Sequence, residues 1–504
     1  MNTISYPYRS IENNNTKARR FRESLFLHAA AVFLLLLPLE LGLVGNDYLR
    51  GIALIGLLYF FFRSVVDVKW SVTIYLLLFF LLPDTWAFDL GSFLPLITLR
   101  RMLLLILLLS FVLNYRKFRS RDRFPKSFRF AIGLLIFSYS MSTILSIDFR
   151  TSFFSLLHLI VEQILLIFII YRVLHDRELA KNGLKALCLA ALILCIFGNI
   201  EYISNVNYFT QVSLSESSLR VYWDTYEGLQ RLGISGRIHS LCIHPMTFGG
   251  FLAIIFPVAI AFTLLSSNLL NRLSFLIIAF LCVEGVFLSL ARSPVMALLA
   301  GIFIMLIFMV REGKIKRGIS ILSIGIAFLI GIFSLYEPAR TLFLSSVKPW
   351  EQPMGITGST LEFRVMQLKN GLAYSTQRPL FGTGVGTGMQ MVRYGLFDPR
   401  LVGCLEIFWI GRLLETGWIG LLLLLFFLSQ VLSLLWKTNK FSKSRPENIL
   451  AASGIASFVA FLIFATATGE MATFSLIFIL LPLIIQSIRR SFNPIFPILN
   501  KKIT

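Results

Sequence analysis

The chain is poor in charge. Only 14% of its 504 residues are Asp, Glu, Lys or Arg, against about 25% in soluble globular proteins. That shortfall excludes a soluble globular enzyme, and a hydrophobic share of 56% excludes a disordered or fibrous chain. Cysteine is thin too. Cys188, Cys195, Cys242, Cys282 and Cys404 are too few and too scattered for a disulfide framework or a zinc site. Acidic residues are the scarcer charges, 26 against 47 basic ones, which leaves a net charge of +21. A cleavable signal peptide is not evident: a basic arm with Lys17, Arg19, Arg20 and Arg22 precedes the first apolar run, with no small-residue cleavage site.

What is abundant is apolar sequence in lengths suited to a bilayer. A spanning helix needs about 20 mostly apolar residues. Such runs are expected at 24–44, 51–62, 70–86, 93–113, 130–147, 153–174, 184–203, 248–265, 273–290, 294–310, 319–336, 407–436, 450–467 and 474–488. The expected fold is therefore an all-α integral membrane protein, a polytopic bundle of about fourteen transmembrane helices. Its positive charge falls in alternate short connectors, such as 115–126, 172–185, 311–317 and 437–445, and in the tail. That pattern places both termini in the cytoplasm. It also accounts for the net charge without nucleic acid, since no folded basic domain remains to grip a duplex.

Two external segments interrupt the alternation, at 204–247 and 337–406. The second is long enough to be functional and reads as folded, with helices. Ser359-Thr-Leu-Glu362 has capping-box spacing, and Leu361, Val365, Leu368 and Leu372 follow helical periodicity. The expected organisation is a basic arm at 1–23, helices at 24–203, a periplasmic loop at 204–247 and helices at 248–336. A large periplasmic loop at 337–406, helices at 407–488 and a cytoplasmic tail at 489–504 complete it.

External arginines oppose the topological rule and need another reason. Arg237, Arg364 and Arg378 are among them, and Arg292 sits at the junction of two spans, where a charge marks function by default. Guanidinium forks bind phosphate bidentately and stay charged, so such a cluster suits a lipid-linked phosphate or pyrophosphate. Snorkelling to headgroups or pairing with carboxylates is the competing explanation. His239 and His244 are five apart rather than four, with no third ligand near, which argues against metal. Either could accept a proton or serve as a hydrogen-bonded structural residue before Pro245. Glu406 falls at the boundary where the chain re-enters the membrane and could act as general base, whereas Glu415, beside Gly417, suits a structural bond. The run Gly382-Thr-Gly-Val-Gly-Thr-Gly388 lacks the Lys of a nucleotide loop and reads as a tight turn.

In order, Arg237 with His244-Pro-Met-Thr-Phe-Gly249, Leu288-Ser-Leu-Ala-Arg-Ser293, Arg364 followed by Arg378-Pro-Leu-Phe-Gly-Thr-Gly384, and Leu414-Glu-Thr-Gly-Trp-Ile-Gly420 resemble the O-antigen ligase and O-antigen polymerase superfamily. The resemblance covers roughly 231–427. It implies an inner-membrane glycosyltransferase, working at the periplasmic face on glycan carried by undecaprenyl pyrophosphate, with no metal, nucleotide sugar or other cofactor. By the same resemblance, Arg237 and Arg292 hold the donor pyrophosphate and Arg364 stands beside them; His239, His244 and Arg378 are further candidates for the substrate site. A flippase and a chain-length regulator of the same pathway are the implied partners, besides the lipid-linked donor and acceptor. Ligases resemble one another in a His about nine residues before the Glu-Thr-Gly stretch. This chain has Glu406 there, which is closer to the polymerases. The expected function is a polysaccharide polymerase with Glu406 as base; Glu406 could instead orient the acceptor and leave the proton to His239 or His244. A ligase acting on lipid A core and a transporter of lipid-linked glycan are the alternatives.

Overall fold

A computed structural model describes residues 8–89, 96–118, 124–215, 237–311, 361–388, 407–441, 444–466, 468 and 472–488. They are almost entirely helical. In the N-terminal half α1 spans Tyr8–Glu40, α2 Asn46–Val66, α3 Val68–Leu78, α4 Leu99–Leu113 and α5 Lys126–Ile144. α6 (Phe149–His158) runs through a π-helical turn, Leu159–Leu165, into α7 (Leu166–Val173), and α8 spans Arg177–Ser204. There follow α9 (Pro245–Leu265), α10 (Leu269–Leu288), α11 (Arg292–Arg311), α12 (Leu361–Ser375), α13 (Phe408–Phe441), α14 (Arg445–Ala465) and α15 (Ala472–Ile488). The only sheet among the described residues is a two-residue antiparallel pair, β1 (Ala87–Phe88) with β2 (Ile97–Thr98).

Helix starts follow from polar caps that satisfy orphan N–H groups. Asp67 accepts from Lys69 and Trp70, Thr98 from Arg101, Asp148 from Thr151, Asp176 from Glu178 and Asn268 from Leu270. Between the caps, length and hydropathy decide. Ten of the described helices are long and apolar enough to cross a bilayer, so the chain is a polytopic all-α membrane protein. α9 is the centre: 89% of its apolar window is buried, against 22% for α2. α8, α10, α11 and α14 pack around it. Small residues permit the close approach: a Cβ on Gly250 would strike the Phe464 ring, and one on Gly285 the Leu252 side chain.

Thirteen of the fourteen expected spans coincide with a helix; 319–336 lies outside the described residues. Two readings are corrected. The span at 70–86 stops as a helix at Leu78, because the apolar run Phe79–Leu82 turns at Pro83. The span at 93–113 becomes helical only at Leu99, where Thr98 caps it. The periodic stripe expected around Leu368 is helical, and it faces out. Val365, Leu368 and Leu372 are exposed, and Gln367, Gly371 and Ser375 are buried, Gly371 against Ile410 of α13. Ser359 lies outside the described residues.

Candidate active site

The segment Arg237–His244 lies along the corner between α10 and α11. The Ile238 amide donates to the Leu288 carbonyl at 3.2 Å, and Arg237 Nε lies 3.5 Å from the Ser289 carbonyl oxygen. The corner is tight: Leu290 takes a φ of 45°, and a Cβ on Gly249 of α9 would come 2.7 Å from Ser289 Oγ and 2.9 Å from Pro294. A buried carboxylate shapes the segment from below. Glu201, at the end of α8, accepts the amides of Ser240 at 2.7 Å and His239 at 3.3 Å. Asn207 Nδ2 donates to the Ser240 carbonyl at 2.7 Å, fixing a turn in which Ser240 has a φ of 53°.

Both histidines serve this turn. His239 is buried, with Nδ1 donating to the Cys242 carbonyl at 2.6 Å and Nε2 lying 3.8 Å from Glu201 Oε1. His244 is the N-cap of α9: its Nδ1 accepts the Met246 amide at 3.0 Å, which leaves the ring proton on Nε2. Burial, then the Arg237 and His239 charges, push its pKa down to about 3, so it is neutral at physiological pH.

Arg292 opens α11 and Arg364 lies in the first turn of α12. The two guanidiniums are close enough to act on each other electrostatically, as Arg237 does on His244. Arg237 and Arg292 flank the Ser289–Ala291 turn. Arg237, Arg292 and Arg364 thus gather where α9 and α11 begin, and all three are half-buried. Two helix N-termini carry partial positive charge to the same place. Three cations and two helix dipoles suit a bound polyanion and a leaving group that gains negative charge.

Arg378 is placed elsewhere, its Nη1 donating to the Leu145 carbonyl at the end of α5 at 3.1 Å. Glu415 is a pin: its Oε2 pairs with Arg412 Nη2 at 2.7 Å and its Oε1 accepts the Gly388 amide at 3.2 Å. Beside it α13 breaks at Gly417, with φ 68° and ψ −176°. The turn after α12 takes up the freed backbone groups. Thr383 and Gly384 amides donate to the Leu414 and Glu415 carbonyls at 3.0 and 2.9 Å, and the Trp418 amide donates to the Pro379 carbonyl at 2.8 Å. Glycine is required at both sides, because a Cβ on Gly417 would lie 2.4 Å from the Leu380 backbone and one on Gly382 2.5 Å from Leu414 O. Glu406 lies outside the described residues, one position before Ile407.

Sequence reasoning missed Glu201 and Asn207, whose only signal is a polar residue near the end of an apolar run. Among the described residues no group of three His, Cys, Asp or Glu side chains is arranged to hold a metal ion.

Residues 276–425 match the family model described as O-antigen ligase. The matched stretch runs from α10 into α13 and includes Arg292, Arg364, Arg378, Glu406 and Glu415, whereas Arg237, His239 and His244 precede it. No curated protein matches the chain.

Proposed function

We propose, from the match of residues 276–425 to the O-antigen ligase family, that the chain is a polysaccharide polymerase of the bacterial inner membrane. The end of the bundle where α9 and α11 begin faces the periplasm in this reading. A growing glycan on undecaprenyl pyrophosphate is the donor, and a lipid-linked repeat unit is the acceptor. The observation that carries it is the gathering of Arg237, Arg292 and Arg364 at two helix N-termini.

In the reaction, an acceptor hydroxyl oxygen attacks the anomeric carbon of the donor. The bond from that carbon to the pyrophosphate oxygen breaks, and undecaprenyl pyrophosphate leaves with the electron pair. The hydroxyl proton passes to Glu406. Fixed cations at the leaving group stabilise charge that grows in the transition state, a contribution of about 3–4 kcal/mol per donor in comparable sites. His244, with Nδ1 held by Met246, and His239, buried in the turn, fit a scaffold better than a base.

In cells that make polymer through this protein, Arg237→Ala or Arg292→Ala should leave single repeat units on the envelope. Wild-type chain lengths in both variants would end the proposal. The matched family description favours a second reading, a ligase that joins finished glycan to lipid A core. A deletion strain separates the two: loss of a ligase accumulates long lipid-linked chains, and loss of a polymerase leaves one repeat.

A further inference from the structure

Between α4 and the α6–α7 helix the apolar side of the bundle is interrupted by a charged cluster. Three departures from regular helix meet there. α3 and α4 have 11 and 15 residues, about 16 and 22 Å of helix, short of the roughly 30 Å hydrocarbon core. The chain that joins them forms the turns after Leu78 and the β1–β2 pair. Opposite, Leu159–Leu165 is a π-helical turn, a feature frequent at functional sites. Its Glu162 lies thirteen residues past Phe149, about 20 Å along the axis. Irregular backbone at such depth is tolerated where it is buried in protein or lines water, and ionisable groups there are functional by default.

The side chains form one network. Arg100 Nη2 lies 2.7 Å from Asp84 Oδ1, and Arg101 Nε lies 2.6 Å from Glu162 Oε1. Arg101 Nη2 donates to His158 Nδ1 at 2.8 Å, and His158 Nε2 lies 3.3 Å from Glu162 Oε2. A ring that accepts on Nδ1 carries its proton on Nε2 and is neutral, so the two guanidiniums are matched by two carboxylates. A pyrophosphate finds no excess cation here. A sugar hydroxyl, which donates and accepts at once, finds fixed partners of both kinds.

The network is within reach of a ligand: the Asp84, Arg101 and His158 side chains are 35, 32 and 33% exposed. Arg101 continues the exposed stripe of Leu105, Leu109 and Val112, and His158 adjoins exposed Phe153 and Leu157. The cluster therefore adjoins apolar surface, as a glycan still tethered to lipid requires, and Arg100 lies within electrostatic range of Cys242 in the Arg237–His244 segment.

We propose that this charged cluster is a second binding site, which takes the uncharged, hydroxyl-rich part of the acceptor glycan while Arg237, Arg292 and Arg364 hold the donor pyrophosphate. The inference rests on the glycosyl-transfer reading above. Its test uses the full chain in lipid nanodiscs and two probes, with binding measured by calorimetry. One probe is undecaprenyl pyrophosphate alone. The other is the free repeat-unit oligosaccharide, released by mild acid from the lipid-linked glycan of a deletion strain. Glu162→Gln and His158→Ala should each weaken the oligosaccharide roughly tenfold or more and leave undecaprenyl pyrophosphate binding unchanged; Arg292→Ala should do the reverse. If Glu162→Gln fails to fold, His158→Ala decides, because that ring is one-third exposed and the Arg101–Glu162 pair survives its loss. The second site is overturned if the wild type does not bind the oligosaccharide at millimolar concentration. It is equally overturned if neither variant weakens the oligosaccharide, or if both probes are lost together in a folded protein. Undecaprenyl pyrophosphate binding that survives Arg292→Ala would sink the donor-site reading instead.

Discussion

Burial and the neighbouring Arg237 and His239 hold the His244 imidazole at about 3, so its titration lies outside the range in which cells work. In the unfolded chain the ring titrates near 6.5. Below that pH the unfolded state takes up a proton that the folded state refuses, and stability falls with acid by about 1.4 kcal/mol per pH unit until the folded pKa is reached. His244→Asn keeps a side chain that can accept the Met246 amide and removes the titration. Its thermal midpoint should equal the wild type's near pH 7.5 and fall less on acidification to pH 5. His244→Ala should lose about 1 kcal/mol at both values as the cap disappears. Of the two roles open to this histidine in the sequence, proton acceptor or structural residue before Pro245, the cap geometry supports the second. The choice was not legible in one dimension, because it depends on which ring nitrogen meets an amide.

Among the elements, α13 shows how a helix can be broken and still held. The change at Gly417 is backed by the Leu380 main chain, which cannot swing aside as a flexible side chain would. Gly417→Ala should therefore lower the midpoint by several degrees or abolish expression, since a left-handed φ costs about 1–2 kcal/mol before any clash is added. Gly411, one and a half turns earlier, has open space around its Cα. Gly411→Ala should be neutral or stabilise by up to about 1 kcal/mol, through helix propensity alone. Thermal melts of the two variants in one detergent make the comparison. Hydropathy found the helices well, and the Glu-Thr-Gly stretch pointed to a structural Glu415. It did not find the ends of α3 and α4, since Phe79–Leu82 is as apolar as the helix before it. Hydrogen-bond pattern, not hydrophobicity, distinguishes a span from a turn buried in protein. The π turn at Glu162 was hidden for the same reason.

Over the whole molecule, basic connectors and apolar spans alternate, and that alternation is the ground for the orientation proposed. The gathering of Arg237, Arg292 and Arg364, which are 55 and 72 residues apart in sequence, was not legible from spacing. It arises because α9 packs on α11, while α12, packed on α13, brings Arg364 within electrostatic range of Arg292. The orientation has a direct check in a cysteine-free background. A cysteine at Thr376, which is exposed after α12, should react with a membrane-impermeant maleimide in cells whose outer membrane has been opened. One at Lys117, exposed between α4 and α5, should react only after the inner membrane is permeabilised. The opposite result would invert the topology and move the arginine site to the cytoplasm.

The joint between residues 379–384 and α13 is made mostly of main chain, and so, outside its glycines, it reads length more than letters. The side chains of Leu380 and Trp418 point largely outward and are free to vary in chemistry. One residue added or removed between Pro379 and Gly384 would instead shift every amide past its carbonyl and leave Leu414 and Glu415 without their partners. Apart from Gly382 and Gly384, where a left-handed φ and close neighbours exclude a Cβ, this stretch should tolerate substitution better than insertion or deletion, the reverse of what an ordinary surface loop tolerates.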